Sequence, residues 1–144
     1  MKNFQKFTLK SFRGQTDGYN LIPIELKDYI NFEVKRVYYI NNVNNDKEKT
    51  GSHCHKIEKE FFIILNGSAT AVIDQGNDLE EIDLKTNHAI YVGPYIWHHF
   101  KNISKNTIIL ALSSTNYSPD RSDYIEDYDD YIKIRNKKLL NRNK

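Results

Sequence analysis

Gly51-Ser52-His53-Cys54-His55-Lys56-Ile57-Glu58-Lys59-Glu60-Phe61-Phe62-Ile63-Ile64-Leu65-Asn66-Gly67 is the stretch on which the reading of this chain turns. In an extended strand side chains alternate between faces, so His53 and His55 share one face and Cys54 takes the other. Two imidazoles about 7 Å apart along a strand can both reach one small ligand or one metal ion. The run from Glu60 to Leu65 is apolar on both faces, as expected of a strand buried between layers. Asn66-Gly67 reads as a two-residue hairpin turn, with Ser68–Asp74 as the returning strand. A second half of the same pattern lies at Gly93-Pro94-Tyr95-Ile96-Trp97-His98-His99-Phe100-Lys101-Asn102.

Working outward, the 144 residues suggest one domain. Phe32–Ile40 predicts a strand, with Phe32, Val34, Arg36, Tyr38 and Ile40 on one face and Val37 and Tyr39 on the other. Asn41–Thr50 is a polar loop. Glu80–Leu84, His88–Gly93 and Thr107–Ser113 continue a series of short strands separated by turns, which argues for an all-β barrel or sandwich. From Asp120 the pattern changes. Tyr124, Ile125, Tyr128, Tyr131 and Ile132 recur at helical spacing, with acids early and Lys133 and Arg135 late, in keeping with the helix dipole.

The net charge of +2 hides an asymmetry. Six basic residues and no acid fall in the last twelve, which leaves 15 basic against 19 acidic residues in the body, a balance of −4. The body is therefore not a nucleic-acid binder by charge, and the basic end reads as a solvated, frayed tail. No apolar run has the length of a membrane span, and the start lacks a signal-peptide core. The single cysteine, Cys54, forms no intrachain disulfide, in keeping with a reducing cytoplasm.

His-x-His on a strand, then Glu60 and Gly67, then Pro94, His98 and Asn102, resembles the cupin superfamily. Lys35-Arg36-Val37-Tyr38-Tyr39, Gly51-x-His53-x-His55-Lys56, Tyr91-Val92-Gly93-Pro94-x-x-Trp97-His98 and Asp123-Tyr124-Ile125-x-Asp127-Tyr128-Asp129 resemble more closely its nucleotide-sugar 3,4-ketoisomerases, from about Arg13 to Tyr131. The resemblance implies a double-stranded β-helix (a jelly-roll barrel) with a C-terminal helix. Residues 1–135 would form the single cupin domain and 136–144 the basic tail. It implies action on a dTDP-linked 4-keto-6-deoxyhexose without a cofactor, in dTDP-amino-sugar biosynthesis, by a homodimer paired through an N-terminal strand. The apolar segments Phe4–Phe12 and Leu21–Ile24 would otherwise leave strand edges unpaired.

Moving a carbonyl from C4 to C3 needs a base, a donor for the developing oxyanion and a pocket for the ring. Histidine suits base work near neutrality. His55 is expected as base, His53 as its assistant, and Tyr39 or Arg36 as oxyanion donor. Arg13, Arg36, Lys56, Glu60, Tyr91, Trp97 and His98 are the expected substrate contacts, with core packing the alternative for Trp97. Two departures from the family pattern stand out. Thr50 replaces an arginine of the sugar-diphosphate site, and Asn41-Asn42 replaces Tyr-Asp. A third concerns metal: the family carries none and usually has Gln where this chain has Glu60. Here His53, His55, Glu60 and His98 would complete a divalent-metal set. That leaves two alternatives, a metal-dependent epimerase or dioxygenase and a non-catalytic sugar-binding module.

Overall fold

The computed structural model describes residues 2–11, 18–41, 49–76 and 78–142. Two five-stranded antiparallel sheets face each other. The first comprises β1 (Phe4–Thr8), β2 (Arg36–Ile40), β4 (Glu60–Asn66), β7 (His88–Val92) and β9 (Ile108–Ser113), in the order β1-β7-β4-β9-β2. The second comprises β3 (Lys49–His55), β5 (Ser68–Asp74), β6 (Leu79–Lys85), β8 (Trp97–Lys101) and β10 (Tyr124–Ile125), in the order β10-β3-β8-β5-β6. One helix, α1 (Tyr128–Arg142), follows. This is the all-β jelly roll with a C-terminal helix that the sequence predicts.

Strand alternation divides the apolar side chains among three clusters. Phe62, Ile64, Ile90, Val92, Ile109 and Ala111 of the first sheet meet Ala69, Ala71, Ile73, Leu84 and Phe100 of the second, which fills the barrel. The opposite face of the first sheet carries Phe61, Ile63, Ala89, Tyr91 and Leu112, and the segment before β2 covers it with Ile22, Ile24, Tyr29, Ile30, Phe32 and Val34. From Phe61 to Ile64 the strand is apolar on both faces because both faces of its sheet are covered there, while Leu65 is exposed. The outer face of the second sheet, with Cys54 and Trp97, receives Ile125 and the helix residues Tyr128, Tyr131 and Ile132.

Four sequence expectations change. Asn66-Gly67 does not close a hairpin: β4 pairs with β7 and β9, β5 with β6 and β8, so the turn passes from one sheet to the other. Gly67 has φ +85, and a Cβ there would fall 2.3 Å from Thr107 Oγ1, so only glycine fits. Residues 32–35 are not strand, and Phe32 and Val34 turn to the outer cluster while Tyr38 and Ile40 face the barrel. Tyr124-Ile125 is strand rather than helix, because it pairs with His55 and Cys54. The helix begins only at Tyr128, where Asp127 Oδ1 accepts the Asp130 backbone N–H as an N-cap. It then runs through Arg142, past the expected domain end at 135.

The helix is pinned by one buried carboxylate. Asp74 has no exposed surface, and its side chain accepts from Tyr128 Oη at 2.8 Å and pairs with Arg135 Nη1 at 3.2 Å. Tyr131 Oη adds a bond to the Asp74 carbonyl at 2.9 Å. Removing the carboxylate leaves Arg135 and Tyr128 unpaired. Asp74→Ala is therefore expected to destabilise the fold by about 3 kcal/mol or more, read from the urea midpoint. A midpoint unchanged from wild type would show that the helix is held by its apolar stripe alone.

Candidate active site

The barrel interior changes from apolar to polar at one end, where β3, β8, β4 and β2 each contribute. On β3, Gly51 sits at φ +51 where the β3–β8 register shifts, and a Cβ there would press within 3.2 Å of the His53 ring. Beyond this bulge His53 and His55 turn inward and Cys54 outward, as alternation requires. The two histidines meet through Nε2 atoms 3.0 Å apart. His98 lies opposite His53 across the β3–β8 ladder, with ring centroids 4.9 Å apart. Glu60 of β4 and Tyr38 of β2 complete the group: Tyr38 Oη donates to Glu60 Oε1 at 2.6 Å.

Hydrogen bonds fix several protons. His98 Nδ1 faces the Ile96 carbonyl at 3.0 Å, so it donates there. His98 Nε2 then faces Glu60 Oε2 at 3.2 Å, which requires a proton or a cation between them. Burial alone would raise the Glu60 carboxyl, but the hydrogen bond and charge of His98, with the hydrogen bond from Tyr38, bring it down to about 2. Burial, reinforced by the charge of His98, lowers His53 to about 3, so His53 is a neutral imidazole. Burial first, then the Glu60 charge and hydrogen bond, raise Tyr38 far above the usual phenol range, so it keeps its proton.

His55 Nδ1 lies 3.1 Å from Asp123 Oδ2 and 3.7 Å from Glu58 Oε2. Glu58 is itself held by Arg36 at 2.6 Å, Ser113 Oγ at 2.5 Å and Thr115 Oγ1 at 2.7 Å. A cavity of about 340 Å³ opens over the group, lined by Arg36, Tyr38, His53, Glu60, Tyr117 and Tyr124. A second, of about 180 Å³, shares Tyr38 and His53 and is walled by Phe62, His98 and Phe100.

The expected site residues separate accordingly. His53, Glu60, His98 and Arg36 come together at the cavities. His55 does so only from behind: it is 2% exposed and reaches the cavity wall through His53. Tyr39 is corrected. It is 65% exposed on the outer face, and its neighbour Tyr38 points inward with Arg36. Tyr91 faces the outer cluster and donates to Asn31 Oδ1 at 3.1 Å. Trp97 packs against Tyr128 and Tyr131 under the helix, its core alternative. Lys56 turns outward to the Ser122 carbonyl at 2.7 Å. Arg13 lies outside the described residues. Sequence reading missed Tyr38, Glu58, Tyr117, Asp123 and Tyr124 as site residues. Tyr38 was findable, since it shares a face with Arg36.

One donor atom from each of His53, His55, Glu60 and His98 lies within 4.8 Å of the others. Glu60 Oε2 is buried with no well-aligned hydrogen bond. Three imidazoles and a carboxylate in this arrangement fit a divalent ion such as Fe, Mn, Ni or Zn. An ion there would supply Lewis-acid polarisation of a substrate oxygen.

Residues 2–136 match the family described as "FdtA: WxcM-like, C-terminal". A TDP-4-oxo-6-deoxy-α-D-glucose-3,4-oxoisomerase from Aneurinibacillus thermoaerophilus is 37% identical over 115 residues, 79% of this chain and 81% of that protein. The chain belongs to the sugar 3,4-ketoisomerase family. A double mutant of the QdtA 3,4-ketoisomerase from Thermoanaerobacterium thermosaccharolyticum, in complex with TDP, superposes with a TM-score of 0.85 at 33% identity, over 97% of this chain and 99% of that one. A histidine-to-asparagine mutant of the same ketoisomerase, in complex with TDP-4-keto-6-deoxyglucose, gives 0.83 at 31%, over 97% and 99%.

In this ketoisomerase-family chain His53 and Glu60 carry the largest downward shifts among the described residues, with smaller ones at His88 and His99, and these two make the site's contribution to acid behaviour. The native state holds His53 and Glu60 deprotonated where the unfolded chain protonates them, so acid favours unfolding. Stability is expected to be fully present above about pH 6.5, to decline as His53 is titrated toward pH 3, and to decline further below about pH 4.5 as Glu60 is. Urea midpoints measured across this range check it. Glu60→Gln should lose the component below pH 4.5, and a flat profile from pH 7 to 4 would contradict the neutral His53.

Proposed function

We propose that the protein converts dTDP-4-keto-6-deoxyglucose to its 3-keto isomer through an enediolate, with His53 as the base. The observation that carries this is His53 itself: a neutral imidazole that walls both cavities and is backed by His55. His53 takes the C3 proton, acidified by the C4 ketone. The electrons move into the C3–C4 bond and onto O4. A proton returns at C4, the O3 hydroxyl proton is lost and O4 gains one, so the net change is a shift of the carbonyl with no oxidant. Arg36, which lines the cavity and whose Nε is buried without a hydrogen-bond partner, is the donor for the developing oxyanion, while Tyr38 gives its one proton to Glu60 and holds that carboxylate in place. The aromatic rings of Tyr117 and Tyr124 offer surfaces for the nucleotide.

Convergence of His53, His55, Glu60 and His98 supports a second reading, in which a bound divalent ion takes over charge stabilisation. Proton NMR in D₂O separates the two. The metal-free reading expects deuterium at C4 of a new 3-keto product, unchanged by EDTA. Activity lost on chelation and restored by one divalent ion would favour the metal-bound reading. No exchange with any 4-keto nucleotide sugar would leave only sugar binding. In the same assay His53→Asn is expected to lower kcat by about 10²–10⁴-fold with dTDP binding retained. Wild-type turnover in that variant would remove His53 as base.

The protein is further proposed to be a cytoplasmic homodimer. Cys54, buried between the second sheet and the helix, supports a reducing compartment. β1 is already paired with β7, and Ile22 and Ile24 pack on the first sheet, so the N-terminal segments no longer carry the dimer argument. An exposed apolar stripe does. Val37 and Tyr39 on the edge strand β2 and Leu65 on β4 are exposed on that face, with half-buried Leu110 between them. Light scattering is expected to give twice the 17.0 kDa chain mass, reduced by Tyr39→Asp. A monomer mass for the wild type would refute the dimer.

A further inference from the structure

We propose that Asp123 is a positioning residue that acts on the reaction through His55, by fixing which nitrogen of each histidine carries a proton. The proposal rests on His53 being the base. Asp123 stands just before β10 and reaches across to the end of β3. Its Oδ1 accepts the backbone N–H groups of Lys56 at 3.1 Å and Ile57 at 2.7 Å, and its Oδ2 accepts that of Glu58 at 3.1 Å. The carboxylate is thus locked by three main-chain donors, with Oδ2 left 3.1 Å from His55 Nδ1.

A carboxylate only accepts, so His55 Nδ1 must carry the proton. With His55 neutral its lone pair is on Nε2, which lies 3.0 Å from His53 Nε2 and 3.5 Å from Glu60 Oε2; the carboxylate cannot donate, so His53 Nε2 supplies the proton of the shorter contact. His53 in turn has its proton on Nε2 and its lone pair on Nδ1. Asp123 therefore makes Nδ1 the basic atom of His53 from two imidazoles away. When His53 Nδ1 takes the C3 proton, the Nε2 proton can pass to His55 Nε2. The positive charge then lies next to Asp123, while His55 keeps its Nδ1 proton. Holding an imidazole in one tautomer by a hydrogen-bonded carboxylate is the logic of hydrolytic triads, extended here by one histidine. Nothing along this path needs a second reactant.

Asp123 also caps the turn between β3 and β4, so loss of activity alone would not distinguish the two roles. The test joins ¹⁵N NMR of the histidine rings with kinetics. In the wild type the His55 spectrum is expected to show a protonated Nδ1 and a bare Nε2. Asp123→Asn presents an amide to His55 and is expected to move that proton to Nε2, to lower kcat at least about tenfold and to leave KM within about threefold. A wild-type His55 protonated on Nε2 overturns the proposal, with or without turnover, and decides the matter if the variant does not fold. So does an Asp123→Asn enzyme whose kcat stays within twofold of wild type. If the wild type shows the expected tautomer but no ketoisomerase activity, the reaction assignment fails and the tautomer control stands.

Discussion

Glu60 is the charge around which the open end of the barrel is arranged. A carboxylate that is only 2% exposed must be compensated, because an unpaired buried charge costs several kcal/mol. Tyr38 donates to one oxygen and His98 faces the other. These two contacts come from opposite sheets, so they tie the layers together where the apolar core gives out. The same pair sets the chemistry of His53. His98 across the ladder, added to burial, keeps His53 a neutral imidazole.

The outer layers make that site possible by keeping the barrel end clear. The segment before β2 covers the first sheet, and the helix, fastened at Asp74, covers the second. Under these layers large apolar residues such as Trp97 and Tyr91 are used for packing rather than for binding. The last part of the chain serves both purposes: Tyr124 and Ile125 extend the second sheet, Asp123 buttresses His55, and the residues from Tyr128 onward close the outer face.

The fold was largely legible in the sequence because its signals are periodic. Alternation placed His53 and His55 inward and Cys54 outward, and strand spacing gave the sandwich. What alternation could not supply was contact between distant segments. Asn66-Gly67 has hairpin chemistry, yet the fold uses the glycine because Ser104 and Thr107 crowd it from another loop. Tyr124 and Ile125 fit a helical stripe, yet pairing with β3 overrides it. Within the site, the choice of Tyr39 over Tyr38 was a face error that Arg36 could have corrected. Asp123 stood out in the sequence only as the first residue of a family-like motif, and nothing local linked it to His55, 68 residues away.

The central claim is that His53, not His55, meets the substrate. A crystal structure of the His53→Asn variant with bound dTDP-4-keto-6-deoxyglucose tests it most directly. The account predicts the sugar C3 within about 3.5 Å of the side chain at position 53, near-attack distance, with His55 behind it and out of reach. A sugar whose C3 lies against His55, or on the far side of Glu60 from position 53, would contradict it.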